Sequence, residues 1–303
     1  MTLKRAVILV ALFSAFCQPF TATLLPPQFL DCVVALGRHE VNPVTKQVVF
    51  IPEASGFFYG LFISKHDEQN NNYQLFLVTN RHVVEEHTRH SALPLAVKVN
   101  LKTTGAAREY DIDVTPPKPN WYFHPNPAID IAVLSTSGSD LEAQGVKFEY
   151  FRSENDVLER KRAAEVGLSE GDGAFVLGFP MGIVGEHQDY AIARQASIAR
   201  IRDFLDSPTV NTFLIDSFVF PGNSGGPVVL RPEIVAIAGK TAIHQAYLIG
   251  VVKDYLAYQD IAISQQTNRP RVIFEENSGL SSVVPIEYVR ETIEAFLKTN
   301  PPK

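Results

Sequence analysis

The sequence predicts an all-β chain, two β-barrels in series followed by one C-terminal helix. Three observations lead there. From about residue 32 the apolar residues fall in short aromatic or β-branched runs broken by Gly, Pro, Asn and Asp, the pattern of strands and turns. Long helical patterns do not alternate with these runs, which argues for barrels over a parallel sheet. Only the end of the chain shows a helical face, with Ile286, Val289, Ile293, Phe296 and Leu297 at helix spacing.

In order, residues 32–36, 48–51, 57–63 and 73–79 open the first barrel, with the polar tract 66–72 as a hairpin loop. His82 opens what reads as a short solvated turn carrying Glu85, Glu86, His87 and His90, whose spacing fits no zinc signature. Residues 95–101 and 110–114 continue the barrel. Pro116, Pro117, Pro119, Pro125 and Pro127 mark an irregular approach to Asp130. Trp121, Tyr122, Phe123 and His124 lie inside it, either lining a cleft or, as we expect of Trp121, plugging the barrel end. Residues 135–170 are the least β-like, and 156–164 read as an exposed helix with a solvated charge run over Glu159, Arg160, Lys161 and Arg162. The second barrel takes 174–179, 190–202, 213–220, 228–230, 235–237 and 247–252. Residues 259–278 are polar with apolar interruptions and receive no assignment. The expected domains are 1–30, signal or anchor; 31–145, first barrel; 146–170, linker; 171–285, second barrel; 286–303, helix and tail.

At the N-terminus, Lys4 and Arg5 precede an apolar run over 6–16, the layout of a secretory signal. The run is shorter than the roughly twenty residues a membrane span needs. A retained anchor is the alternative, and membrane association is expected only through such an uncleaved N-terminus. With a signal removed, Cys32 is the one cysteine left, so no internal disulfide forms, and Cys32 is expected to pack as a small apolar group. A net charge of −6 without a basic tract argues against nucleic acid as a partner.

The chemistry centres on Pro221-Gly222-Asn223-Ser224-Gly225-Gly226-Pro227. A lone serine hydroxyl is a poor nucleophile and needs a base and an anion site. Gly222 can adopt backbone angles closed to other residues, which lets the N–H groups of Gly222 and Ser224 converge on an oxyanion. A tight turn with an incidental serine would carry the same residues. His82 ends one apolar run and Asp130 starts another, so both candidates for base and orienter sit at strand–loop boundaries, where catalytic groups are commonly presented. His, Asp, Ser is the chain order of one of the known triads.

The segments Thr79-Asn80-Arg81-His82-Val83-Val84, Asp130-Ile131-Ala132-Val133-Leu134 and Asp216 through Pro227 resemble the trypsin-like serine proteases, nearest to their bacterial HtrA-like branch. Weaker likenesses at Ser55-Gly56-Phe57-Phe58, at 171–180, at Ile249-Gly250-Val251-Val252 and at Val284-Pro285-Ile286 extend the match over about residues 30 to 299. The resemblance implies two six-stranded-type barrels with the active site between them, an endopeptidase acting on polypeptides, and no metal or organic cofactor. It implies catalytic roles for His82, Asp130 and Ser224, and an oxyanion hole from Gly222 and Ser224. It places Phe218 in the specificity pocket and gives the pocket wall and substrate-pairing edge to 251–255, with Val252, Lys253 and Tyr255 as contacts. An aromatic at 218 disfavours basic side chains, so a small or aliphatic residue before the cleaved bond is expected. Asn223 stands where trypsin has an Asp, so activation by a freed N-terminal amine is not implied. Too few residues follow Pro285 for the PDZ domain of many HtrA-like proteins. The absence of disulfides, common in animal relatives, fits a periplasmic or secreted bacterial protein.

Two other functions share these residues. A catalytically silent member of the fold would act as a binding or scaffold protein. An α/β-hydrolase esterase would also carry Gly-x-Ser-x-Gly, but its serine is followed by a helix and then by Asp and His. Here Pro227 and a β-branched run follow, and His244 is the only later histidine.

Overall fold

A computed structural model describes residues 23–65, 71–90, 94–112, 121–185, 187–233 and 242–300. The signal-like 6–16 run, most of the 66–72 loop, the prolines 116, 117 and 119, and the strand expected at 235–237 lie outside the described residues.

The first layer holds β1 (Val33–Val41), β2 (Val48–Lys65), β3 (Asn71–Thr79), β4 (Leu95–Asn100), β5 (Ala107–Ile112), β6 (Trp121–Phe123), β7 (Ala132–Thr136) and β8 (Phe151–Arg152). Its strand order is β5-β4-β1-β2-β3-β7-β6, and β8 pairs in parallel with β2. Among the described residues this sheet does not close by hydrogen bonding. It curls instead. Ile112 at one end and Trp121 at the other meet in one core with Leu36, Phe58 and Leu77. Trp121 is thus packed into the core of the first layer.

The second layer is a closed barrel of six strands, β10-β11-β14-β13-β12-β9. Its strands are β9 (Gly173–Gly178), β10 (Ile192–Arg200), β11 (Phe213–Asp216), β12 (Pro227–Leu230), β13 (Tyr247–Ile263) and β14 (Pro270–Pro285). Val176, Ile198, Ile215, Val228 and Val283 fill it. The unassigned stretch 259–278 forms the outer half of the β13–β14 hairpin, which runs well past the barrel wall.

Among the described residues six α-helices decorate the two layers: α1 (Pro27–Asp31), α2 (Arg81–His90), α3 (Gly138–Ala143), α4 (Arg160–Glu165), α5 (Arg202–Asp206) and α6 (Glu287–Thr299). The expected solvated turn after His82 is the ten-residue helix α2. Val84 and His87 are its buried side, three residues apart as one helix face requires. A third core fills the seam between the layers. It joins Phe57, Tyr59, Phe76 and Ile131 of the first to Leu177, Phe179, Val229 and Val251 of the second. Helix α6 seals it with Val289 and Ile293, and Phe296 meets Phe76 and Tyr122 edge-on. Cys32 is fully buried, and burial pushes its thiol well up, which makes it an inert packing group. No helix among the described residues is long and apolar enough to cross a membrane.

Candidate active site

His82 stands in the first turn of α2 because Asp130 holds it there. One carboxylate oxygen of Asp130 accepts the His82 backbone N–H at 2.9 Å, satisfying a donor that the helix start leaves unpaired. The other contacts imidazole Nδ1 at 2.6 Å. A carboxylate at a helix N-terminus is also favoured by the helix dipole. Asp130 is fixed in turn, since the buried Asn80 side chain donates to its backbone carbonyl at 2.9 Å. With Nδ1 engaged, Nε2 is the nitrogen left for chemistry.

The charges that shift the imidazole are all acidic. Burial pushes the His82 pKa down, but the hydrogen bond and charge of Asp130, joined by Glu86 and Asp254, push it up further, and the net shift is upward. Burial pushes Asp130 up, yet the hydrogen bonds and charge of His82, with Lys253 assisting, leave its carboxyl below the usual carboxylate range. The imidazole is 39 % exposed and the carboxylate 11 %, so the ring reaches solvent while its partner is shielded.

The serine loop comes from the second barrel. Asn223 closes the turn, its backbone N–H donating to the Phe220 carbonyl at 2.9 Å while its side-chain oxygen accepts the Phe220 N–H at 3.1 Å. Gly222 has φ +100°, and a Cβ there would lie 2.2 Å from the Phe179 carbonyl oxygen. No other residue fits. Among the described residues, the N–H groups of Gly222 and Ser224 donate to no protein acceptor, as an anion-binding pair requires. The Ser224 hydroxyl donates to the Lys253 carbonyl at 3.2 Å.

These groups converge on one cleft of about 750 Å³ at the seam. Its lining includes His82, Gly222, Ser224, Val252, Lys253 and Tyr255, which are the sequence-derived candidates apart from Asp130, behind His82, and Phe218. Phe218 stands outside the lining, half exposed, with its ring over Gly279. Val219 and Phe220 take the wall instead. The chain bends at this point, where the Asn277 side chain donates to the Val219 carbonyl at 2.6 Å. Arg81, beside His82, pairs with Glu85 and lies over the Phe123 ring. Sequence reasoning missed Glu86 and Asp254 as neighbours of the imidazole, and missed the rim residues Arg38, His39 and Glu53. Among the described residues no cluster of three or more His, Cys, Asp or Glu side chains could hold a metal ion.

Residues 54–237 match the family described as the trypsin-like peptidase domain, which is more than half of the chain. The chain belongs to that family. As a trypsin-like peptidase it is a hydrolase in class, with polypeptides as substrates. The matched span contains His82, Asp130 and Ser224 and stops before the long hairpin. No curated protein matches this peptidase closely enough to count as a relative.

Proposed function

We propose that this peptidase is a serine endopeptidase that cleaves peptide bonds through an acyl-enzyme, with His82, Asp130 and Ser224 as its triad. The observation that carries the reading is the double grip of Asp130 on His82 at the edge of the cleft that Ser224 lines. In this mechanism the Ser224 hydroxyl leaves the Lys253 carbonyl and takes Nε2 as its partner. Nε2 takes the hydroxyl proton as Oγ bonds to the substrate carbonyl carbon, and Asp130 stabilises the imidazolium without being protonated. The N–H groups of Gly222 and Ser224 receive the oxyanion, and loss of one such donor costs roughly two to three powers of ten in rate. The imidazolium then protonates the departing amine, the C–N bond breaks, and water repeats the attack to free the acid and Ser224.

The valines and Phe220 along the cleft wall favour an apolar residue before the cleaved bond. The charged and apolar parts of the N-terminus support export, and we propose a periplasmic or secreted location. The test is a fluorophosphonate label together with a peptide-library digest. Wild type is expected to take the label on Ser224 and to cleave, and Ser224→Ala to do neither while unfolding at the same denaturant midpoint. Comparable cleavage by Ser224→Ala overturns the triad. A folded wild type that neither labels nor cleaves is the silent scaffold instead.

A further inference from the structure

The β13–β14 hairpin leaves the barrel at the catalytic cleft. Strand β13 pairs with β12 only as far as Val251, and beyond that its outer edge has no neighbouring strand among the described residues. The same strand lines the cleft with Val252 to Tyr255 and then continues to Ile263. One open edge therefore runs from the serine out along the hairpin, and an unpaired edge is a template for another extended chain.

The face above that edge is organised. The Tyr255 hydroxyl donates to Glu275 at 2.8 Å and the Gln259 amide donates to the same carboxylate at 3.1 Å. Those bonds put Tyr255, Gln259 and Glu275 on one face. Two residues on, Ile261 faces Ile273 across the ribbon, with Ile263 beyond. All three isoleucines are more than half exposed. A two-stranded ribbon standing alone is marginally stable, and apolar surface of this kind calls for cover.

We propose that the hairpin is an extended substrate-binding arm, on which an extended apolar segment of the substrate polypeptide adds to β13 and covers the Ile261–Ile273 patch. This rests on the endopeptidase reading above. Continuity with the cleft favours substrate over a second copy of this chain. Both existing neighbours of β13 run antiparallel to it. A substrate strand added the same way runs from the arm tip towards Ser224, so the arm holds residues before the cleaved bond. If the residue before that bond pairs with Lys253, one-for-one pairing puts Ile261 opposite the residue about eight positions further upstream, roughly 26 Å from it at 3.3 Å per residue.

The experiment uses the full chain as Ser224→Ala and a fluorescein-labelled peptide, read by anisotropy. One peptide has six residues upstream of a mapped cleavage site, a second has twelve with isoleucine near positions seven to eleven, and a third has serine there. The isoleucine peptide is expected to bind about tenfold tighter than the other two, and Ile261→Ser with Ile273→Ser to erase that gain without changing six-residue binding. Equal affinities for the three peptides overturn the arm, as does a gain that survives both serine substitutions. A loss of dimer on sedimentation, with the gain intact, makes the ribbon a self-association contact and overturns it too. Absent cleavage by wild type would instead count against the endopeptidase, whatever the peptides bind.

Discussion

The Ser55 hydroxyl donates to the Gly222 carbonyl at 2.7 Å and accepts the Phe179 N–H at 3.0 Å. Its backbone N–H also donates to the Ser224 carbonyl at 2.8 Å, and its own carbonyl accepts the Thr79 hydroxyl. One fully buried residue of β2 thereby holds the carbonyls of Gly222 and Ser224, and ties them to the strand that leads into His82. The proposed oxyanion donors, the Gly222 and Ser224 N–H groups, belong to the second barrel, but the peptides that follow each of them are held from the first layer. Ser55→Ala removes two bonds from groups that water does not reach, so stability is expected to fall by about 1–3 kcal/mol. We expect kcat to fall by about tenfold as well, equivalent to about 1.4 kcal/mol at the transition state, with KM little changed. Steady-state kinetics beside urea unfolding checks this. A variant that loses stability but keeps kcat would make Ser55 a packing residue only.

The acidic ring around His82 sets a pH dependence. In the proposed mechanism His82 acts as neutral imidazole, and Asp130, Glu86 and Asp254 favour the charged form more than burial disfavours it. The acid limb of kcat/KM is therefore expected to lie above the ordinary histidine value of 6.5. Glu86→Gln removes one anion and should shift that limb towards acid, and Asp254→Asn should do the same. For stability the two shifts have opposite signs. The raised His82 contributes below pH 6.5 and loses its contribution as pH rises through its folded value. The lowered Asp130 contributes above pH 3.8 and loses its contribution as pH falls. The pair should thus stabilise most between those limits, which urea midpoints of wild type and Asp130→Asn across that range would reveal. An acid limb at or below 6.5 would mean that burial of His82 outweighs the three anions around it.

The turn of the serine loop was legible because its backbone demands a particular residue. Gly222 must have positive φ and must lack a Cβ, so the need is written as glycine. Asp130 was legible as the polar start of an apolar strand. Helix α2 was not, because what starts it is Asp130, distant in sequence. The arm was illegible for a different reason. Strand reading relies on one buried face, and the apolar residues of 256–274 lie exposed on both faces: Tyr258 and Phe274 on one, Ile261 and Ile273 on the other. Phe218 was placed by counting along a resemblance, and the bend fixed by Asn277 passes the wall to Val219 and Phe220.

Arg160, read from the sequence as part of a solvated charge run, joins three elements. Its side chain contacts Glu287 at the start of α6 at 3.0 Å and its backbone N–H donates to the same carboxylate at 2.9 Å. Its guanidinium donates to the carbonyls of Ser207 and Val210 and lies 4.0 Å from the Phe204 ring centre. Both partners are largely buried, at 20 % and 13 % exposed. Removing one partner of such a pair costs roughly 3 kcal/mol or more, because the other charge is left without compensation. Arg160→Met should therefore lower the urea midpoint strongly at neutral pH. Burial already pushes the Glu287 carboxyl above its ordinary 4.5, against the pull of Arg160. A raised folded value means that stability falls as pH rises through it, and without Arg160 that value climbs further. The deficit of Arg160→Met should hence be smallest below pH 4.5, where Glu287 is protonated folded or unfolded, and should grow towards pH 7. A deficit that stays constant across this range would mean that Arg160 acts through its carbonyl and ring contacts, and not through its charge on Glu287.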